Sequence, residues 1–301
     1  MAHGTGRSTG GLDTGERRMV MVWNELTAEP RRDRTAGREE DLVGLRLFGA
    51  FRLEGANGSI AVPASAQRLL AYLGLHRRAP RSVVAGTLWP DVAEEHALGS
   101  LRTVLWRLRR MRQPAVRSDG DSLCLADGVS VDVDDFTRAA LRLTGSSQQA
   151  SGDAPPPLTL LENGELLPGW DEEWIRPERE RLRQLRLHAL EALSVRLTVR
   201  GCYALALEAA LRCVAIEPLR ESAHCAVVAV HLAENNVVEA IRHYEAFRRL
   251  LREELGLEPS ARLAGMFPYQ VKGGTRIPSP AVSAAGRAPS AGVKAPGPIR
   301  G

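Results

Sequence analysis

Hydrophobic positions along the first third of the chain change period twice. Leu45, Leu47, Phe51 and Leu53 alternate with polar or small residues, the pattern of one strand face. Ile60 and Val62 supply a partner strand across an Ala56-Asn57-Gly58 turn. The period then becomes helical at Ala66, Leu69, Leu70 and Leu73. A short second helix fits Val83 to Trp89, with Ser82 as its N-cap and Pro90 at its end. A third helix opens on Asp91 and Glu94 at capping-box spacing, carries a Leu98, Leu101, Leu105, Leu108 stripe and stops before Pro114. Val116-Arg117-Ser118, an Asp119-Gly120 turn and Ser122 to Leu125 make a hairpin. Strands, three helices and a hairpin in that order predict a helix-turn-helix with a wing.

The second segment is patterned differently. A helix is expected from Asp135 to Leu143, then a Ser-, Gln- and Pro-rich loop from Thr144 to Pro157, and helix alone from Trp170 onward. Gly201-Cys-Tyr203-Ala-Leu-Ala206-Leu207 aligns with Asn235-Asn-Val237-Val-Glu-Ala240-Ile241, an offset of 34 residues (235 − 201). Ala206, Ala210, Cys213 and Pro218 have the spacing of the second helix and exit turn of a tetratricopeptide repeat. Small residues at Ala206 and Ala240 let paired helices approach, and Gly201 and Asn235 tolerate a left-handed turn. Arg252 stands where a closing proline is expected, so the last helix should run on to a cap at Gly256.

The fold class is therefore mostly α. Residues 44–130 form an α+β winged helix-turn-helix, and residues 131–268 form an all-α, tetratricopeptide-like domain. Residues 1–43 (Gly, Arg and Glu) and 269–301 (Pro, Gly, Ala and Ser) lack periodicity and read as a disordered arm and tail.

Over 301 residues the net charge is only +4, with a pI of about 9.1, so its location matters more than its sum. From His96 to Ser118 there is no Asp or Glu, while Arg102, Arg107, Arg109, Arg110, Arg112 and Arg117 all fall inside. With the leucine stripe inward, Gly99, Thr103, Trp106 and Arg110 face out, flanked by Arg102 and Arg107. Such a face suits the major groove of DNA: arginine takes guanine O6 and N7 in bidentate fashion, and Thr103 can meet a thymine methyl. Arg109 and Arg117 would hold phosphates. The alternative for any one arginine is that it merely complements the helix dipole. Trp106 admits two readings, a contact to sugar or base methyl and an edge position in the core. Arg77, Arg78 and Arg81 form a second basic cluster that suits phosphate, a polymerase surface or a solvated loop.

Other chemistry finds no support. Phosphate-loop and HExxH motifs do not occur, so neither catalytic residues nor a cofactor is assigned. The four cysteines are scattered without a CxxC pair, which argues against a metal site and for a reducing cytoplasm. His224, His231 and His243 sit in apolar company and read as structural. No apolar run spans a membrane and no signal peptide opens the chain.

Several of these stretches resemble one known family. Leu45 to Gly49, Arg68 to Leu73, Leu88-Trp89-Pro90, Leu101 to Arg110 and Val131 to Phe136 are similar to the OmpR-type winged helix of the Streptomyces antibiotic regulatory proteins (SARPs). Leu167 to Trp170, Trp174, Arg179 to Arg183, Glu217 to Ser222, Ala240 to Tyr244 and Glu254 to Pro259 resemble their bacterial transcriptional activation domain. The resemblance implies an activator of secondary-metabolite gene clusters. Such a protein would bind promoter direct repeats in double-stranded DNA as a head-to-tail homodimer, recruit RNA polymerase holoenzyme and act at the nucleoid. Ser122-Leu123 depart from the family's Gly-Tyr before the last wing strand. The contrasting reading is a protein-interaction scaffold whose winged helix has lost DNA binding.

Overall fold

The computed structural model describes residues 43–111, 114–145 and 164–267, and the backbone of 269–272 and 275–278. Strands β1 (Val43–Arg46), β2 (Arg52–Gly55) and β3 (Gly58–Ser59) form a meander joined at its far side by β7 (Val129–Val131), in the order β3-β2-β1-β7. The alternation expected along one strand from Leu45 to Leu53 is instead shared by two. The chain reverses after Leu47 with Gly49 at φ 74°, and Leu45 lies opposite Leu53, both essentially unexposed. The partner strand is shorter than Ile60 and Val62 suggested. It ends at Ser59, and Ile60 only donates its N–H to the Leu53 carbonyl.

Helix α1 (Ala64–His76) lays Ala66, Leu69, Leu70 and Leu73 on this sheet. A Cβ at Gly74 would come within 2.9 Å of a Leu45 methyl and 3.1 Å of a Leu47 methyl, so the close approach of helix and strand needs glycine there. After β4 (Arg78–Pro80) come α2 (Arg81–Leu88) and α3 (Glu94–Arg109), then the hairpin β5 (Val116–Asp119) and β6 (Ser122–Leu125). Two expected caps do not form. The N-cap positions fall to Pro80 and Ala93, and neither Ser82 nor Asp91 closes its helix.

Helix α4 (Asp132–Thr144) starts directly after β7, three residues earlier than the sequence suggests. β7 pairs with β1 in parallel, Val43 opposite Val129 and Leu45 opposite Val131. Asp132 then turns its carboxylate onto the end of β1. It accepts the Leu47 N–H at 2.9 Å and the Phe48 N–H at 3.1 Å. Burial pushes this carboxyl upward while those two bonds oppose the shift.

The helices α5 (Ile175–Val199), α6 (Tyr203–Ile216), α7 (Glu221–Ala233) and α8 (Val237–Leu255) follow as consecutive packed pairs, then the short α9 (Ala261–Ala264). The turns before α6 and α8 use Gly201 and Asn235 at φ 74° and 63°, and Ala206 and Ala240 are fully buried. α8 runs past Arg252 and is capped by left-handed Gly256. Of the arm read at 1–43, Val43 is instead a buried residue of β1, and 1–42 lie outside the described residues. Within the stretch read as a disordered tail, Tyr269–Lys272 (β8) and Thr275–Pro278 (β9) pair antiparallel, and the remainder lies outside the described residues.

One apolar core runs from Val43 through Val230 without a break between the winged part and the repeats. The seam is reinforced by Phe51 stacked on Trp170, Tyr72 edge-on to Trp174 and the Arg68–Glu172 ion pair at 2.7 Å. Arg179 closes it by donating to the carbonyls of Leu166, Leu167 and Trp170.

A second core sits under α7 and α8. There His224 stacks on Phe247 at 3.7 Å between ring centres. Its Nε2–H donates to the Pro218 carbonyl at 2.9 Å, so its Nδ1 must accept from His243 Nε2, also at 2.9 Å. Burial lowers both pKa values, that of His243 to about 4. Neutral rings are favoured in the folded state, so this stability is fully present above an unfolded value near 6.5 and is lost as pH falls toward 4. The expected result is a falling Tm over that window in circular dichroism melts, with part of the fall absent in His243→Gln.

Candidate nucleic-acid interface

α3 is amphipathic because its apolar residues recur at helical spacing. Ala97, Leu101, Val104, Leu105 and Leu108 are buried, and Leu98 is half-buried at the edge of this face. Glu94 and Glu95 in the first turn and Arg107 and Arg109 in the last complement the helix dipole. On the opposite side Arg102, Thr103, Arg107, Arg109 and Arg110 are exposed, with Gly99 partly so. Trp106 is 57% exposed, which places it on this outer face and not in the core.

Local contacts order that face without neutralising it. The Thr103 hydroxyl donates to the Gly99 carbonyl at 3.1 Å. The Arg110 guanidinium lies 4.5 Å from the Trp106 ring centre, a stacking worth about 0.5–1 kcal/mol at an exposed site. Among the described residues Arg102, Arg107, Arg109 and Arg110 have no carboxylate partner. Positive charge is therefore left facing solvent.

The wing brings in residues from further along the chain. β4 pairs with β6, giving a three-stranded sheet β4-β6-β5, and the hairpin loop is Gly120-Asp121, one residue later than expected. Ser118 of β5 accepts a hydrogen bond from Arg81 Nη2 at 2.8 Å and a longer one from Arg109 Nη2 at 3.5 Å. The start of α2, the end of α3 and the wing thus meet at one hydroxyl flanked by two guanidiniums. Residue order alone did not reveal this meeting, because Arg81 reaches Ser118 only once β4 has joined β6.

The remaining candidates are more engaged. Arg78 pairs with Asp119 at 2.8 Å and Arg117 with Asp127 at 3.5 Å, each pair at least half exposed and so individually weak. Arg77, at φ 63°, ion-pairs with Asp134 of α4 and is drawn away from the wing toward the seam. No group of three or more metal-ligating side chains occurs among the described residues, and none of their helices is long and apolar enough to cross a membrane.

Residues 131–267 match the bacterial transcriptional activator domain. The regulatory protein AfsR of Streptomyces coelicolor is 29% identical over 245 residues, covering 77% of this chain and 24% of the relative. AfsR of Streptomyces griseus is 27% identical over 237 residues, covering 74% and 24%. The chain thus spans about a quarter of the length of these relatives. Among solved structures, Mycobacterium tuberculosis EmbR in complex with a low-affinity phosphopeptide superimposes with a TM-score of 0.62 at 16% identity, over 74% of this chain and 63% of that one, a likeness of fold. Residues 131–267 thus match a bacterial transcriptional activator domain, and the chain is similar to the AfsR regulatory proteins over about three quarters of its length.

Proposed function

We propose that the chain is a sequence-specific DNA-binding transcriptional activator, pathway-specific for a secondary-metabolite gene cluster. In this reading residues 44–130 bind promoter direct repeats as a head-to-tail homodimer, residues 131–268 help recruit RNA polymerase holoenzyme, and the protein works in the cytoplasm at the nucleoid. The carrying observation is the outer face of α3 beyond its first turn, without an acidic residue from His96 onward, where Arg102, Arg107 and Arg110 stand exposed without carboxylate partners among the described residues.

The roles divide by position. Arg102 and Arg107, with Thr103 between them and Trp106 alongside, read base edges and the thymine methyl. Arg109, Arg81 and Ser118 converge on one point and clamp a backbone phosphate, and Arg117 extends that contact along the wing. Arg78 is offered beside them on β4, while Arg77 serves the seam.

The test is to select bound duplexes from genomic fragments and titrate the enriched ones by fluorescence anisotropy across salt concentration. Direct repeats should be enriched, with log affinity falling against log salt by about 0.9 per phosphate neutralised. Arg81→Ala should weaken binding evenly across sequences and reduce that slope by about one. An absence of salt-sensitive duplex binding would leave the protein-interaction scaffold as the better reading.

A further inference from the structure

A cleft of about 380 Å³ opens between the winged part and the repeats, and its charges do not balance. Phe48, Leu166, Leu182 and Ile216 supply apolar walls, and four arginines line it against two glutamates, Glu165 and Glu180. Two of the arginines are already satisfied. Arg179 is spent on the Leu166, Leu167 and Trp170 carbonyls and on Glu165, and Arg183 on Glu180 and Glu217.

The other two are not. Arg176 is exposed and has no ion-pair or side-chain hydrogen-bond partner among the described residues. Arg186 is half-buried, lies 5.3 Å from the ring centres of both Phe48 and Phe136, and donates once, to the Gly164 carbonyl at 2.8 Å. Its Nε is shut off from solvent without a partner, and no carboxylate pairs with it. Burying a guanidinium without a counter-charge is costly, and burial accordingly lowers its pKa. The two phenyl rings recover part of that cost but supply no negative charge.

We infer that this cleft binds a small organic anion, a carboxylate or phosphate monoester on an apolar body, with its oxyanion held by Arg176 and Arg186 and its body against Phe48, Leu182 and Ile216. The volume suits a metabolite-sized ligand, and a wall of apolar side chains with a few convergent polar groups is how such sites are built. Planar guanidinium forks match either oxyanion. Phe48 belongs to the turn after β1 and Ile216 to α6, so the occupant would touch both halves of the molecule and strengthen their seam. This inference does not depend on DNA binding.

The experiment uses the full chain without DNA. Phenyl phosphate, phenylacetate and the neutral benzyl alcohol are titrated at constant ionic strength, with Tm and calorimetric heat as readouts. At least one anion should bind saturably with one-to-one stoichiometry and raise Tm, while benzyl alcohol does neither. The better anion identifies the oxyanion class. Arg176→Ala should weaken that binding by about tenfold while leaving the unliganded Tm unchanged. Arg186→Lys, which keeps the charge but loses the fork, should also weaken it and guards against an Arg186→Ala variant that does not fold. The proposal is overturned if neither anion saturates, if benzyl alcohol binds equally well, or if Arg176→Ala binds the anions as the parent chain does.

Discussion

Arg102→Ala and Arg107→Ala are each expected to weaken binding to a selected duplex by about 1–3 kcal/mol, roughly 5- to 150-fold in Kd, if each arginine reads a base. Both side chains leave α3 on its exposed face, and neither has a carboxylate partner among the described residues. Their removal should therefore change stability by no more than about 0.5 kcal/mol, the usual range for surface sites. The loss of affinity should be uneven across sequence variants, largest where a guanine is replaced, because bidentate contact to O6 and N7 discriminates between bases. A loss equal for every duplex would reassign that arginine to the backbone. Gel shifts on matched and mismatched sites separate the two outcomes.

Leu101→Ala is expected to act in the opposite way. Leu101 is 1% exposed and adjacent to Arg102 in sequence, but it points into the core formed with α1 and α2. Truncating a buried leucine costs about 2–5 kcal/mol through lost transfer energy and the cavity left behind. A urea titration should show the midpoint fall with little change in slope. Trp106→Ala, at a residue mostly in solvent, should leave that midpoint nearly unmoved. If Leu101→Ala proved neutral and Trp106→Ala destabilising, the helical phase assigned to α3 would be wrong.

That phase was largely legible in the sequence because a 3.6-residue period repeats over four turns. The leucine stripe was slightly off-centre. Ala97 and Val104 also face inward while Leu98 sits at the edge, which shifts the middle of the buried arc by roughly 40° at 100° per residue. The shift settles Trp106, whose position a reading of leucines alone left open. The repeats were legible for a similar reason: Gly201 and Asn235 must turn left-handed at equivalent places, and Ala206 and Ala240 must be small where helices touch.

What stayed hidden depends on residues far apart in the chain. β7 joins β1 in parallel across more than eighty residues, and Asp132 finds the Leu47 and Phe48 amides only after that pairing. β4 is three residues long and carries no alternation of its own, so its pairing with β6, and with it the meeting of Arg81, Arg109 and Ser118, is invisible to a local pattern. The capping signals at Ser82 and Asp91 failed because the chain enters α2 from a paired strand and α3 from a turn that ends on Ala93. Local propensity yielded to tertiary geometry at both places.

Photo-crosslinking from single positions shows directly which surface touches DNA. A photoreactive phenylalanine analogue at Trp106 replaces one exposed aromatic by another, and the same analogue at exposed Val238 of α8 is the control. Irradiated on a selected duplex, the protein labelled at 106 should form a covalent DNA adduct and the protein labelled at 238 should not. An adduct from 238, or none from 106 while the duplex is demonstrably bound, would contradict the assignment of α3 as the reading surface.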